Sequence, residues 1–172
     1  MLKIISLYML LFAFTTTYHE EEYFSEQVNT EIIYAILSDI PNSHYSSNYP
    51  NLILFVNFAD FYCPHCIDDF LLFSDMLKEI SPDNNLPVTM ILRRNDFQSE
   101  ELQIHIMNGW KRGNDIPFPF YLDIWGIFTD ANIDKTSALI LDRDGVKLFY
   151  HTFPLGLEKR EMLIKFIKNP NQ

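Results

Sequence analysis

The stretch Leu52-Ile53-Leu54-Phe55-Val56-Asn57-Phe58-Ala59-Asp60-Phe61-Tyr62-Cys63-Pro64-His65-Cys66 carries an apolar run directly into a pair of cysteines. Seven residues from Leu52 to Phe58 with one polar interruption predict a central strand buried on both faces. Beyond the cysteines, Ile67, Phe70, Leu71, Met76, Leu77 and Ile80 recur at helical spacing until Ser81-Pro82-Asp83-Asn84-Asn85. The two cysteines therefore fall where a buried strand hands over to a helix, with Pro64 suited to the first helical position. There the unpaired N–H groups and the helix dipole favour a thiolate on Cys63. Cys66, one turn on, is close enough to resolve a mixed disulfide, and His65 between them is expected to lower the Cys63 pKa.

Cys63 and Cys66 are the only cysteines in 172 residues. A disulfide scaffold needs more of them, spread along the chain, and a structural zinc site needs four ligands. Two buried thiols, an inert disulfide, or the pair plus His65 holding a metal, are the alternatives to redox chemistry. No metal site is expected.

Working outward, Val88 to Leu92 predicts a second buried strand ending in Arg93-Arg94. A helix is predicted over Ser99 to Trp110, with Ser99 as N-cap and Glu100-Glu101 in its first turn. Pro117 to Leu122 contains a short extended segment, and Ile124 to Phe128 a helical turn. Ser137 to Leu141 and Val146 to His151 form a hairpin around Asp142-Arg143-Asp144-Gly145. Leu157 to Lys168 closes the chain as an amphipathic helix. Upstream, Tyr23, Phe24, Val28, Ile32, Ile33, Ile36 and Leu37 fit one face of a helix, followed by a turn-rich linker from Pro41 to Pro50. Strands alternating with helices and ending in a hairpin predict a mixed sheet flanked by helices. Trp110 and Trp125 are expected in the core, and His44, His105 and His151 are assigned no role.

The composition is 48% hydrophobic and 15% aromatic, with a formal net charge of −10. Such a chain can build a packed core. It is poorly suited to nucleic acid, whose binding rests on Lys and Arg at phosphates. At the N-terminus Lys3 precedes an apolar run from Ile4 to Phe14, too short to span a bilayer and of the length of a secretory signal's apolar region. Residues 1–17 are thus expected to be a signal peptide, or alternatively an uncleaved anchor, 18–50 a helical and linker extension, and 51–169 the main domain.

Phe58 to Cys66 resembles the active-site segment of DsbA-type thiol oxidases of the thioredoxin fold, whose intervening dipeptide is also Pro-His. The remainder, roughly residues 50–168, is similar to the TlpA/ResA thiol-reductase branch. Asp69 stands three residues after Cys66, as an acid does there, and about 70 residues separate Cys66 from the Ser137 strand. The resemblance implies a three-layer α/β/α sandwich with a mixed central sheet. It implies an extracytoplasmic protein thiol–disulfide oxidoreductase, with Cys63 as nucleophile, Cys66 as resolving thiol and His65 tuning the pair. Asp69 is either a proton relay or a solvated acid. No cofactor beyond the redox-active disulfide is implied; protein thiols and disulfides are the substrates, with a membrane redox partner as a further expectation. The Lys135-Thr136 loop takes the place of the family's cis-proline and is expected to present backbone groups to an extended substrate. Its peptide bond is expected to be trans, leaving the Thr136 hydroxyl free to approach the sulfurs. Asn57 stands where thioredoxin has a buried Asp. The rival is a binding or assembly module serving a metal or haem-protein partner. A peroxiredoxin is excluded, since Val56 and Asp60 occupy the places of its signature Pro and Thr.

Overall fold

The computed structural model describes residues 28–39, 51–84 and 87–168. The expected signal segment and linker lie outside these residues. The order is α1 (Thr30–Asp39), β1 (Asn51–Val56), a 3₁₀ turn (Phe58–Tyr62), α2 (Pro64–Asn84), β2 (Val88–Leu92), α3 (Glu100–Gly113), β3 (Phe120–Leu122), α4 (Ile127–Asp130), β4 (Ser137–Leu141), β5 (Lys147–Thr152) and α5 (Gly156–Lys168).

The strands form one sheet in the order β3-β2-β1-β4-β5. β1 pairs in parallel with β2 and antiparallel with β4, so the sheet is mixed, as expected. All six residues of β1 are buried. Because side chains alternate along a strand, Leu52, Leu54 and Val56 enter one core while Ile53 and Phe55 enter the other. The first core is closed by Phe70, Phe73 and Leu77 of α2, Met107 of α3, and Leu163 and Ile167 of α5. The second is closed by Ile33 and Leu37 of α1 with Ile127 and Phe128 of α4. These are the three layers.

Differences from the sequence expectations are local. α2 continues through Pro82 to Asn84, since a proline in a final turn removes only one ladder bond. α3 runs past Asn108-Gly109 to Gly113, with Ser99 capping it as expected: its Oγ accepts from Leu102 N at 3.3 Å. The expected turn at Ile124–Phe128 begins later, at Ile127, because the buried Asp123 carboxylate accepts the Ile127 and Phe128 N–H groups at 2.8 and 2.9 Å. Trp125 is exposed rather than in the core. Trp110 is partly buried, in an aromatic cluster with Phe58, Phe61 and Phe70. Among the described residues no helix is long and apolar enough to cross a membrane.

Candidate active site

β1 lies between a parallel and an antiparallel neighbour, so the chain leaves its carboxyl end at a switch in the sheet. Asn57 breaks the strand: its Oδ1 accepts Ala59 N at 3.2 Å and starts the 3₁₀ turn. Phe58 and Phe61 pack that turn down onto Trp110, with ring centroids 5.7 and 5.3 Å away. The turn ends as Cys63 N donates to Asp60 O at 3.1 Å.

Cys63 is then the N-cap of α2. Its carbonyl accepts from Cys66 N at 3.1 Å and Ile67 N at 3.3 Å, the first bonds of the helix. Its sulfur is exposed, and its pKa is held below the ordinary thiol value. The Cys66 side chain is the largest cause, followed by the Cys66 backbone N–H and, after the opposing effect of desolvation, the His65 backbone N–H. This is the arrangement by which an N-cap oxygen accepts from the second and third helical N–H groups, with sulfur in oxygen's place. Cys66, by contrast, is half-buried. Burial, then the hydrogen bond and charge of Cys63, then the charges of Asp60 and Asp69, push its pKa up to about 11. The pair is thus split into an exposed thiolate former and a shielded thiol.

The other expected site residues fall differently. His65, expected to lower the Cys63 pKa by positive charge or a hydrogen bond, is exposed and acts on Cys63 through its backbone N–H. Asp69 is not a solvated acid. Its Oδ2 accepts Leu155 N at 2.6 Å and its Oδ1 is paired with Arg160 of α5, both side chains being nearly buried. With both oxygens engaged, Asp69 ties α2 to α5.

The Lys135-Thr136 peptide bond is trans, as expected, and the cis bond among the described residues is Phe153–Pro154. The expectation that Thr136 faces a substrate is overturned. Thr136 is 1% exposed. Its hydroxyl accepts from Asn57 N at 3.0 Å and donates to Asn57 O at 3.2 Å, extending the β1–β4 ladder by one step. Its N–H donates to Asp60 Oδ2 at 2.5 Å, and its carbonyl accepts from Phe153 N at 2.9 Å. A threonine brings a backbone donor that proline lacks, and in this buried place the donor needs an acceptor; Asp60 supplies it. Lys135 remains exposed.

Asp60 and Arg160 were not singled out from sequence. An acid three residues before Cys63, within an aromatic segment, is the signal that could have drawn attention to Asp60. Arg160 gave none, because its partner lies 91 residues away. Two clefts reach residues that flank the pair in sequence: one of about 620 Å³ is lined by Phe58, Ala59, Tyr62 and the Arg93–Gln98 loop, and one of about 450 Å³ by His65, Asp69 and Leu155. Among the described residues no group of three or more His, Cys, Asp or Glu side chains could hold a metal ion.

No family model and no curated protein matches the chain. Solved structures do. StoA from Bacillus subtilis matches with a TM-score of 0.52 at 17% identity, over 69% of this chain and 81% of that one. The exposed lipoprotein thioredoxin of Streptococcus pneumoniae matches at 0.51 and 16%, over 72% and 86%. A thioredoxin-like protein solved in its oxidized form matches at 0.55 and 16%, over 74% and 86%. The fold is thioredoxin-like, a three-layer sandwich carrying a Cys-x-x-Cys pair at the head of α2.

Proposed function

On this thioredoxin-like fold we propose that the chain is a protein thiol–disulfide oxidoreductase working outside the cytoplasm, of the TlpA/ResA-like type. The observation that carries the reading is the split between Cys63 and Cys66 at the N-terminus of α2. In the reducing direction the Cys63 thiolate attacks a substrate disulfide. One substrate S–S bond breaks, a Cys63–substrate bond forms, and a substrate thiolate leaves and takes up a proton. Cys66 then gives its proton to solvent and attacks Cys63. The Cys63–Cys66 bond forms and the second substrate sulfur departs, so two electrons pass from the pair to the substrate. The oxidising direction is the same sequence reversed. Pro64 holds the first turn, Cys63 needs no general base because it caps the helix, and Lys135 is the exposed residue of the facing loop.

The test is exchange with a disulfide-bonded protein. Cys63→Ser should abolish turnover, and Cys66→Ser should accumulate mixed disulfides through Cys63. Equal trapping through both cysteines would defeat the assignment. Location is supported by the apolar Ile4–Phe14 run and is tested by N-terminal sequencing of the mature protein from fractionated cells. A cytoplasmic chain retaining Met1 would refute it. Protein thiols and disulfides are the proposed substrates, with a membrane redox partner returning the pair to its starting state and no further cofactor.

One observation favours the rival, a binding or assembly module for a metal or haem-protein partner. Thr136 has spent both backbone groups inside the fold, which leaves less main chain to receive an extended substrate. Slow exchange combined with stable complex formation would select it.

A further inference from the structure

Phe97 is 98% exposed and Tyr62 91%, and both line the cleft of about 620 Å³. Single apolar side chains in solvent are common and carry no message. What sets Phe97 apart is how its loop is held. Gln103 of α3 is 4% exposed, and a buried amide must find partners. It bonds the loop three times: its Oε1 accepts Asn95 N at 2.8 Å, and its Nε2 donates to Asn95 O and Gln98 O, both at 2.9 Å. Asn95 continues the lock, its Oδ1 accepting Phe97 N at 3.0 Å and its carbonyl accepting Gln98 N at 3.2 Å. The backbone on both sides of Phe97 is thus fixed from within the fold, while the ring stays in water.

The near wall of the cleft is one residue from the nucleophile, because Tyr62 immediately precedes Cys63. The cations on the far wall are already engaged. Arg94 meets Asp96 at 3.3 Å and Glu100 at 3.5 Å, while Arg93 donates to Asp134 O at 3.0 Å and lies over the Phe128 ring. These engaged arginines, in a chain of net charge −10, disfavour an acidic ligand. The exposed aromatic rings favour an apolar one.

We propose that the cleft between Tyr62 and Phe97 is the specificity subsite of the redox pair, gripping a large apolar side chain on the polypeptide whose disulfide is exchanged. This deepens the oxidoreductase reading and rests on it. An extended chain covers about 7 Å in two residues and returns its side chains to the same face. A substrate sulfur at Cys63 therefore brings the side chain two residues away within reach of Tyr62. On the opposite wall Thr136 has its N–H and carbonyl bonded inside the fold. A substrate gains little main-chain pairing there, and side-chain contact at Phe97 supplies the hold instead. Because Gln103 fixes the loop beforehand, little freedom is lost when the ring is covered, which is what makes an aromatic anchor effective.

The experiment gives the reduced full-length chain two disulfide-linked peptide dimers, alike except for leucine or serine two residues to either side of the cysteine. The wild type should reduce the leucine peptide about three- to tenfold faster, by second-order rate constant. Phe97→Ser should bring that ratio close to one, and an exposed ring can be removed without opening the core. Val146→Ser, a similar apolar loss in the hairpin turn at the other edge of the sheet, should leave the ratio as it is. No preference in the wild type, a preference that survives Phe97→Ser, or an equal fall in both variants overturns the proposal. Should neither peptide be reduced, the functional reading fails, and the cleft is decided by NMR with the peptide cysteine S-methylated. The leucine peptide should shift the Phe97 and Gln98 amide signals and the serine peptide should not. Equal shifts, or none, overturn the subsite.

Discussion

The two walls of the site are built on opposite plans. On the redox wall Tyr62, Cys63, Pro64 and His65 are all exposed, Tyr62 at 91%. On the facing wall Thr136 and Ser137 are 1% and 0% exposed, and Thr136 spends its hydroxyl, its N–H and its carbonyl on internal bonds. Chemistry needs a sulfur that a substrate can reach, so the redox wall gives up packing. It holds its shape through backbone hydrogen bonds at a helix terminus. On the facing wall Thr136 is a strut, pinning the end of β1 to the start of β4. Reactivity here depends on a rigid wall standing behind an open one.

The largest expected effect comes from breaking the strut. Thr136→Pro deletes the hydroxyl that bonds Asn57 and the N–H that bonds Asp60. A neutral hydrogen bond contributes about 0.5–1.5 kcal/mol and one to a charged group about 1.5–3. The variant should therefore lose about 2–4 kcal/mol by urea denaturation, and exchange should slow rather than quicken. Thr136→Ser keeps both groups and should lose less than half as much. A proline variant as stable as the wild type, or faster in exchange, would mean the wall is not a strut.

Next in size is the tie between α2 and α5. Arg160→Met removes the cation from Asp69 while filling the same space, leaving a nearly buried carboxylate with the Leu155 N–H alone. The expected loss is about 1–3 kcal/mol. Arg160→Lys keeps a cation near the carboxylate and should lose less than Arg160→Met. Equal losses in the two variants would assign the effect to packing of the arginine stem instead.

How much of this was legible beforehand follows from the range of each interaction. β1, β2 and β4 could be read because burial on both faces writes itself as predominantly apolar runs. The N-cap at Cys63 could be read because strand, cysteines and helix are contiguous. Thr136 was located as the residue opposite the pair, yet its orientation was misjudged. A free hydroxyl and a substrate-facing backbone follow from taking the loop alone, while the acceptors that claim them, Asp60 and Asn57, lie 76 and 79 residues earlier. The solvated reading of Asp69 failed for the same reason: first-turn acids are solvated unless a distant cation arrives, and Arg160 does. For His65 the sequence left charge and hydrogen bonding open, and the structure supplies a hydrogen bond from its backbone N–H.

The split between the cysteines offers a pH test. Cys63 is held below the ordinary thiol value of 9.0 and Cys66 is raised to about 11. In the reduced chain, Cys63 should alkylate with a midpoint below that of a denatured control, and Cys66 well above it. The raised thiol also leaves a mark on stability. Between pH 9 and 11 the native state holds a proton on Cys66 that the unfolded chain has released, so stability falls as pH rises through that window. Cys66→Ala should flatten this decline in urea titrations at pH 8, 9.5 and 11. An identical slope in both proteins would deny the shift.

The smallest expected effect separates the two parts of His65. If its ring charge tuned the thiolate, His65→Gly would raise the Cys63 pKa. Here the ring is exposed and the contribution runs through the backbone N–H, the least of the causes that favour the thiolate. His65→Gly retains that N–H and should leave the Cys63 midpoint where it is. His65→Pro deletes the N–H at the second helical position, where a proline is tolerated because the donor has no partner within the helix. It should raise the Cys63 midpoint while leaving α2 in place, and it should make the couple more reducing, since a less stabilised thiolate weakens the reduced form. The measurement is the 240 nm thiolate absorbance against pH, with the equilibrium against glutathione as a second reading. A rise in the glycine variant equal to that in the proline variant would return the tuning to the imidazole and make the open wall an electrostatic device of side chains. A rise in the proline variant alone would leave it a device of the backbone, as Cys63 at the N-cap requires.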